Sequence, residues 1–512
     1  PQMGTPSIKI RTIQATIFMK PISVLFVSLL CLPAMAQRDY ELTLWRNPWL
    51  KSGNAAALTT YNDSTIAHAT LYYMHDDGRR QTLSDGFAQT LSNGKRQERY
   101  GADVQSVFRL SPHIVTYGRA AYQSINVSQA TGSMLFPTAQ LMPFDLIEDD
   151  DSNAGDKRME RFNIDGAIGV QLTRHLALGA QLNYATGTYA KHRDLRHSNT
   201  LMDLDARLNA FIQLPHNSGV GLGLLYRRRT ETMRFKTYGT TDRIYTTLVD
   251  YANGYGERET FGTEGFTDSK NELPLLSEYV GVAAQGAYNR LFATATYAHR
   301  TGYYGRKSQY SASHARHQGN VVALQVRYDV VRQPQRLLWM DAQMTTERLT
   351  TERENYRRTT ATNGTAASYY EYFEPTKMAD KAQTDGSLNV NAYWKPATDI
   401  FLWHMAGGIG YWVRRQTAYV FTEAHTATPH VMAPYVLARR GWMSRHRSVW
   451  WAQVQGQAFM GSHEGLTAGA SFSYEMPLRG TKVRPCLSLN YRFSRVSGAT
   501  RNSLGLTASA TF

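Results

Sequence analysis

Cysteine is almost absent from this sequence of 512 residues, which contains only Cys31 and Cys486. Because Cys31 lies in the export signal described below, a single thiol remains in the mature chain. An intramolecular disulfide is therefore excluded, although an oxidising compartment is compatible with the sequence.

Long apolar runs are absent as well. After the first 36 residues, no 18 consecutive residues are apolar. A membrane-spanning helix needs about twenty such residues, so the sequence excludes one. The run at 22–32 is too short to span a bilayer for the same reason.

That short apolar run belongs to an export signal. It follows Met19-Lys20 and precedes Ala34-Met35-Ala36, which is the order of a basic region, an apolar region and a small-residue cleavage site. We expect residues 1–36 to be removed, with 1–18 upstream of the signal, so that the mature chain begins at Gln37. Loss of three basic residues lowers the formal charge from +15 to +12: Lys9, Arg11 and Lys20.

What the sequence does have is alternation of apolar and polar residues. In 320–330, Val322, Leu324 and Val326 alternate with Gln325 and Arg327. A period of two places these sets on opposite faces of a strand. The same pattern recurs in segments 162–172, 387–394 and 450–460. Alternation of this kind is typical both of a membrane β-barrel and of a soluble β-sandwich.

The connections favour the barrel. Eight short turns are predicted near 111–112, 174, 215–217, 289–290, 334, 396–398, 440–445 and 477–480. Longer loops are predicted at 76–97, 128–159, 237–275, 306–317 and 351–382. Short turns opposite long loops are typical of outer-membrane barrels. We therefore predict an all-β fold, a single transmembrane antiparallel barrel of about 18 strands (14–18 possible), with short periplasmic turns and long extracellular loops. Tryptophans in its C-terminal half suit the aromatic girdles at the membrane interfaces: Trp394, Trp403, Trp412, Trp442, Trp450 and Trp451.

Three regions follow from this prediction. Residues 1–36 are removed, 37–64 form a periplasmic N-terminal segment that is a possible plug of the lumen, and 65–512 form the barrel. The last strand, 501–512, must pair with the first, because an unpaired sheet edge cannot face lipid.

Charged residues are predicted on the lumen side of several strands: Arg109, Asp165, Asp203, Asp205, Arg207, Arg327, Asp329 and Arg492. Basic residues in a pore attract anions, whereas oppositely charged neighbours pair with one another and fill space. Both interpretations remain open at this point. The surplus positive charge could also contact the anionic sugar-lipid layer or neighbouring proteins.

An acidic loop offers a possible calcium site. With Asp149 at position 1 of a calcium-binding loop, Asp151, Asn153 and Glu160 fall at positions 3, 5 and 12. Position 6 is Ala154, where that motif needs glycine, so a solvated acidic loop is the alternative and no cofactor is otherwise predicted.

Three further features of the sequence are weaker candidates for a site. The tyrosines of 237–275 suit contact with a partner or a sugar, or closure over the barrel mouth. His314 and His317 form only an incomplete metal pair. Ser462-His463 lacks an assignable third catalytic group, so we expect no enzymatic activity.

The sequence resembles the outer-membrane β-barrels of Bacteroidota. Leu44-Trp-Arg-Asn-Pro-Trp-Leu50, followed by Ser52-Gly-Asn-Ala-Ala-Ala-Leu58, looks like the start of an uncharacterised barrel family whose members often accompany TonB-linked receptors. The second stretch is also similar to the opening of fatty-acid-transporter-like barrels, with Ala55 where that motif has proline.

The resemblance implies a location in the bacterial outer membrane and two possible functions. One is a non-enzymatic uptake or accessory barrel that works with a TonB-linked receptor or surface lipoproteins. The other is a stand-alone diffusion channel for small solutes. Outer-membrane lipid and lipopolysaccharide are expected partners, nucleic acid is not, and Phe512 is similar to the terminal aromatic that the insertion machinery reads.

Overall fold

A computed structural model describes residues 40–62, 65–78, 94–148, 154–215, 218–236, 245–261, 273–305, 312–360, 368–397, 400–420, 423–478 and 483–512. The predicted export signal and most of the predicted calcium loop lie outside these ranges. Within the described ranges, no helix has the length and apolar character that crossing a membrane requires.

The described chain is nearly all β. It has one α-helix, α1 (Tyr40–Arg46), and two 3-10 helices, Pro48–Lys51 and Ala55–Thr60. The strands are β1 (Ile66–Asp77), β2 (Arg96–Ser111), β3 (Ile114–Ala130), β4 (Asp145–Glu148), β5 (Gly155–Gln171), β6 (Leu176–Lys191), β7 (Arg196–Leu214), β8 (Ser218–Lys236), β9 (Tyr245–Ala252), β10 (Tyr255–Phe261), β11 (Leu273–Tyr288), β12 (Leu291–Gly305), β13 (Ser313–Gln333), β14 (Arg336–Arg353), β15 (Tyr356–Thr360), β16 (Ser368–Tyr372), β17 (Thr376–Ala397), β18 (Ile400–Val420), β19 (Glu423–Ala427), β20 (His430–Met443), β21 (Val449–Gly461), β22 (Gly465–Glu475), β23 (Arg484–Val496) and β24 (Ala499–Thr511).

Eighteen of these strands form one closed antiparallel barrel, which confirms the predicted fold class. Each barrel strand pairs with the next along the chain, and β24 closes the circle against β1 with Leu71 opposite Ala508. Beyond the last bridge, the backbone N–H of Phe512 donates to the carbonyl of Ala67 at 2.9 Å. Closure removes the sheet edges that would otherwise expose unpaired backbone groups.

The outer face of the barrel is apolar. Alternate residues on successive strands expose large aliphatic side chains, including Leu208, Leu222, Val280, Val436 and Leu504. Such a surface on a closed barrel faces lipid, because every backbone group of the wall is paired and the outward side chains offer lipid no polar contact.

The wall is uneven in height. All eight predicted short turns lie at one end of the barrel, which we call the short-turn end. The opposite, long-loop end holds the long connections, but three of its connections are also short: 192–195, 462–464 and 497–498. Strand β17 has 22 residues whereas β22 has 11, so the wall of β13–β18 extends further than that of β21–β24.

Four of the six tryptophans considered above lie on the outer face at the short-turn end. Trp394 stacks on Trp403 with 5.6 Å between ring centroids. The guanidinium of Arg440 lies 4.8 Å from the ring of Trp403 and 4.9 Å from the ring of Trp442. Trp442 and Trp450 are both exposed. Trp412 and Trp451, in contrast, are buried and alternate with the outward residues, so they face the lumen.

Candidate functional site

Residues 40–61, which we call the N-terminal insert, lie inside the lumen. The insert contacts strands around most of the wall, which only a segment inside the barrel can do. The contacts include Tyr40 on His68 of β1, Leu58 with Val115 of β3, Trp49 on Phe211 of β7 and Phe292 of β12, and Trp45 on Trp339 of β14.

Asn54 fixes the turn of the insert and ties it to the wall. Its side-chain oxygen accepts a hydrogen bond from the backbone N–H of Ala57 at 3.2 Å, which caps the second 3-10 helix. Its amide nitrogen donates to the carbonyl of Ala210 at 3.1 Å and to the side chain of Gln285 at 2.9 Å. One buried side chain therefore joins the insert to β7 and β11.

Aromatic packing and close backbone approach hold the same segment. The ring of Trp49 meets Phe211 and Phe292 edge-on, with centroid distances of 4.7 and 5.1 Å. A Cβ added at Gly179 would lie 2.3 Å from the backbone nitrogen of Ala56, so only glycine lets β6 approach the insert this closely.

The N-terminal insert narrows the lumen near its short-turn end, with a cavity of about 710 Å³ between the insert and the turns. Arg109, near the β2–β3 turn, donates to the carbonyls of Thr59 at 3.2 Å and Pro112 at 2.9 Å, and also to that of Tyr61. This predicted lumen residue therefore holds the end of the insert against the turn.

A second segment, residues 131–148, folds into the lumen from the long-loop end. We call it the loop insert. It buries Met134, Phe136, Leu141, Phe144 and Leu146. A loop on the surface would not bury such a set of apolar side chains, so this one is a packed element of the lumen.

Buried charged side chains of the wall bind the backbone of the loop insert. The backbone N–H of Leu141 donates to Glu347 at 2.9 Å, and its carbonyl accepts from Arg300 at 2.6 Å. Arg300 also pairs with Glu347 at 2.7 Å. On two other strands of the wall, Glu231 accepts from the N–H of Phe136 at 2.8 Å, and Lys381 donates to the carbonyl of Met142 at 2.8 Å.

These contacts satisfy groups that would be costly to bury alone. A buried charge without a partner lowers stability by several kcal/mol. A buried peptide group without a hydrogen bond lowers it by roughly 1–3 kcal/mol. The anchors come from β8, β12, β14 and β17, so the loop insert is held on several sides. It is a fixed obstruction of the long-loop end in this structure.

The loop insert also forms a small sheet with the hairpin of β9 and β10. In it, Asp145 of β4 lies opposite Asp250 of β9; Asp250 is buried and Asp145 is half-buried. Burial raises the pKa of the Asp250 carboxyl to about 6; Asp145 adds to this shift and Lys381 opposes it. Burial likewise raises the pKa of Asp145.

One side of the lumen remains accessible to solvent. Most inward side chains of β21–β24 are short or uncharged, and most are only half-buried. A cavity of about 420 Å³, which we call the side chamber, lies against this wall. Its lining includes Asp76, Arg99, Tyr435, Gln455, Gln457, Thr467, Arg492 and Arg501.

The other predicted lumen charges lie on the opposite wall, where they pair with one another. Asp203 accepts from Arg227 at 2.6 and 2.7 Å. Asp205 accepts from Arg207 of the same strand at 2.8 and 2.9 Å. Arg227 is an additional residue that the sequence reasoning missed.

Two more predicted charges pair beneath the N-terminal insert, and a third pairs on the neighbouring wall. Arg327 donates to Asp329 at 2.8 Å, and its guanidinium lies 4.5 Å from the ring of Trp339. Asp165 lies 3.4 Å from Arg119, which also pairs with Asp103. Arg492 stands apart from all of these in the side chamber.

The predicted calcium loop can be described only at its end. Asp149, Asp151 and Asn153 lie outside the described residues. Glu160 lies in β5, where its carboxylate accepts from Tyr122 at 3.0 Å and pairs with Arg158. Across the described parts of the chain, no three His, Cys, Asp or Glu side chains form a group that could hold a metal.

The other considered sites are dispersed. His314 lies 3.0 Å from the hydroxyl of Tyr356, and His317 lies 2.9 Å from the hydroxyl of Ser277. Ser462 accepts from a backbone N–H, and His463 lies 2.9 Å from the hydroxyl of Ser497. Of the aromatic loop 237–275, β9 and β10 are described and pack beside the loop insert, whereas Tyr238 and Phe266 lie outside the described residues.

Sequence reasoning missed the anchors of the loop insert. Glu231, Arg300, Glu347 and Lys381 occupy inward positions of their strands, as the predicted lumen residues do. Their alternation indicated which way they face. The alternation pattern could not indicate that the loop insert covers these side chains, because the contact joins residues far apart in the sequence.

The fold and the lumen define a transmembrane β-barrel whose two ends are narrowed by segments of its own chain. Residues 55–464 match the sequence model of a protein family of unknown function, DUF6850. The chain therefore belongs to that family. No curated protein matches the chain.

Solved barrels are similar to the chain only at low identity. The ferric preacinetobactin receptor BauA of Acinetobacter baumannii is 12% identical, with 88% of this chain and 80% of that chain covered and a TM-score of 0.40. The toluene transporter TbuX of Ralstonia pickettii is 11% identical, with 90% and 92% covered and a TM-score of 0.34. A FadL homologue of Pseudomonas aeruginosa is 11% identical, with 90% and 92% covered and a TM-score of 0.28.

Proposed function

We propose that this protein is a non-enzymatic outer-membrane barrel for uptake. Small hydrophilic solutes would pass beside the two inserts, along the polar wall of β20–β24. The short-turn end would then face the periplasm and the long-loop end the cell exterior, as in other single-chain barrels of even strand number.

The observation that carries this proposal is the contrast between filled and accessible parts of the same lumen. The N-terminal insert and the loop insert occupy opposite ends through contacts with β1–β18. The inward side chains of β21–β24 stay polar and half-buried, and they border the side chamber. Polar lining on one side supports passage of water-soluble molecules, and the inserts restrict their size.

Planar-bilayer recording of the purified full chain tests this directly. We expect a small, stable conductance, together with entry of small sugars but not of larger oligosaccharides into proteoliposomes. A large conductance like that of an open porin, or complete silence in both assays, would contradict the proposal.

The accessory role with a TonB-linked receptor or surface lipoproteins is a further part of this proposal. The predicted basic balance of the mature chain and the long loops support a partner on the exterior face. Affinity purification of the full chain from native membranes, without cross-linking, should recover a stoichiometric receptor or lipoprotein. Recovery of the barrel alone would leave the uptake proposal in place and remove the accessory role.

A further inference from the structure

Lumen arginines differ in how they are paired. On the wall that carries the inserts, each of four arginines has a carboxylate partner: Arg207 with Asp205, Arg227 with Asp203, Arg300 with Glu347 and Arg327 with Asp329. Positive and negative charges are therefore equal in this set, and it offers no excess charge to a solute.

The side chamber has an excess of positive charge. Arg99 and Arg501 share one carboxylate, that of Asp76, with Arg99 at 3.3 Å. Arg492 lines the same chamber and has no hydrogen-bond or ion-pair partner among the residues that the structure describes. Among the described residues that line the chamber, three guanidinium groups thus accompany one carboxylate, a formal surplus of two charges.

Strand register brings these arginines together. Arg492 lies opposite Ser503, and Ser503 lies opposite Asp76, so the arginine is two strands from the carboxylate. Neighbouring strands are about 5 Å apart, which makes that separation roughly 10 Å. Arg501 lies diagonally across from Arg492 on the next strand, at about 7–8 Å between Cα atoms. Long side chains at these spacings can reach a single oxyanion.

The rest of the chamber suits a hydroxylated body. Gln455 and Gln457 each offer an amide donor and an acceptor, and Thr467 and Tyr435 add hydroxyl groups. Gly469 lies between Gln455 and Arg492 in the ladder, and the side chain of Gln455 lies over it, 3.0 Å from where a Cβ would stand. The chamber volume of about 420 Å³ falls in the range of small-molecule sites, about 300–1,000 Å³.

We propose that the side chamber binds a small hydroxylated organic anion, in which Arg492, Arg501 and Arg99 hold a phosphate or carboxylate and the glutamines hold hydroxyl groups. This inference rests on the proposed uptake function and names the substrate class of the same route. Guanidinium forks fit both oxyanions, because they donate parallel hydrogen bonds to two oxygens.

Equilibrium dialysis of the purified full chain measures binding without requiring passage. The probes are glucose 6-phosphate, glucuronate and neutral glucose at low salt. We expect one or both anions to bind at least about tenfold more tightly than glucose, and raised salt to weaken them because it screens accessible charges. Which anion binds more tightly separates a phosphate from a carboxylate ligand.

Arg492→Gln is the decisive variant, because this arginine has no partner in the described residues whose loss would disturb folding. It should lower affinity for the anions roughly tenfold or more and leave glucose unchanged. Arg495→Gln is the matched control: it removes the same charge from β23, but from an exposed position on the outer face. Arg501→Gln should also weaken the anions, with heat-modified gel mobility used to verify a folded barrel.

Equal binding of glucose and both anions, or unchanged anion affinity in Arg492→Gln, would overturn the proposed site. Failure of the uptake proposal gives a different result, namely anion binding in dialysis without solute entry into proteoliposomes. Anion binding together with entry of the same anions supports both.

Discussion

The two sides of the lumen are built from the same alternating strands, yet they differ in what faces inward. On β5–β18 most inward charges are paired or hydrogen-bonded, and several of them bind the backbone of an insert. On β21–β24 the inward residues are mostly uncharged and half-buried. The difference shows that a lumen wall can act as a protein core on one side and as a solvent boundary on the other.

Strand length follows the same division. Strands β13, β14, β17 and β18 have 18 to 22 residues, whereas β21–β24 have 11 to 13. Two of these long strands, β14 and β17, contain Glu347 and Lys381, which bind the loop insert. Strands β21–β24 need no such extension, because none of the loop-insert anchors described above lies on them.

The largest expected difference between the two sides is in stability. Arg300→Gln leaves Glu347 buried without its cation and should lower the free energy of unfolding by about 3–5 kcal/mol. Arg492→Gln, the same change on the accessible side, should shift it by less than about 0.5 kcal/mol. Urea unfolding of both variants in lipid vesicles, followed by tryptophan fluorescence, measures the contrast. Equal losses of stability in Arg300→Gln and Arg492→Gln would show that charge pairing does not distinguish the two sides of the lumen.

A second, smaller effect is expected from pH on the loop insert. In the docked state Asp250 has a pKa of about 6, above its ordinary value of 3.8. Between these two pH values the docked state therefore keeps a proton that the released state loses. Docking should therefore be tightest below about pH 4 and weaken as the pH rises to about 6, by at most about 3 kcal/mol.

Hydrogen exchange of β4 across this pH range measures the effect, after correction for the intrinsic pH dependence of exchange. At residue 250, Asp250→Asn cannot lose a proton, so its exchange protection should depend less on pH than that of the wild type, with Asp145 responsible for the dependence that remains. A wild-type profile as flat as that of the variant would show that Asp250 does not control docking.

Much of the fold was predictable because it is local. The period of two, the eight short turns and the closing strand at 501–512 are properties of short stretches, and they led to the count of 18 strands. The sequence pattern did not indicate that three connections at the long-loop end are as short as turns: 192–195, 462–464 and 497–498. Loop length is set by what the loop contacts, which a local pattern does not contain.

The contents of the lumen were much harder to predict. Alternation indicated that Asp203, Arg327 and Arg492 face inward, but it could not distinguish a paired charge from an unpaired one. Pairing depends on cross-strand register and on the inserts, both of which join residues far apart in sequence. Asp203 pairs with Arg227 of the neighbouring strand, whereas Arg492 has no such partner in the described chain.

Loosening the N-terminal insert should affect passage more than global stability. Asn54→Ala removes hydrogen bonds to Ala210 and Gln285 and the cap on Ala57, which should weaken docking by about 1–2 kcal/mol. We expect more frequent large openings in bilayer recordings. Asn62→Ala, at an exposed position just beyond the insert, is the control. Identical recordings from both variants would show that the insert does not restrict the short-turn end.

The smallest effect should come from narrowing the side chamber. An added Cβ at Gly469 would lie 3.0 Å from the side-chain nitrogen of Gln455, so Gly469→Ala displaces a flexible side chain and should change stability by less than about 1 kcal/mol. Because Gln455 lines the chamber, the conductance should nevertheless fall. Gly456→Ala adds the same methyl group to β21 but on the outer face, which it shares with the exposed Val454, and should leave the conductance unchanged. If both variants conduct like the wild type, solutes do not pass along this wall.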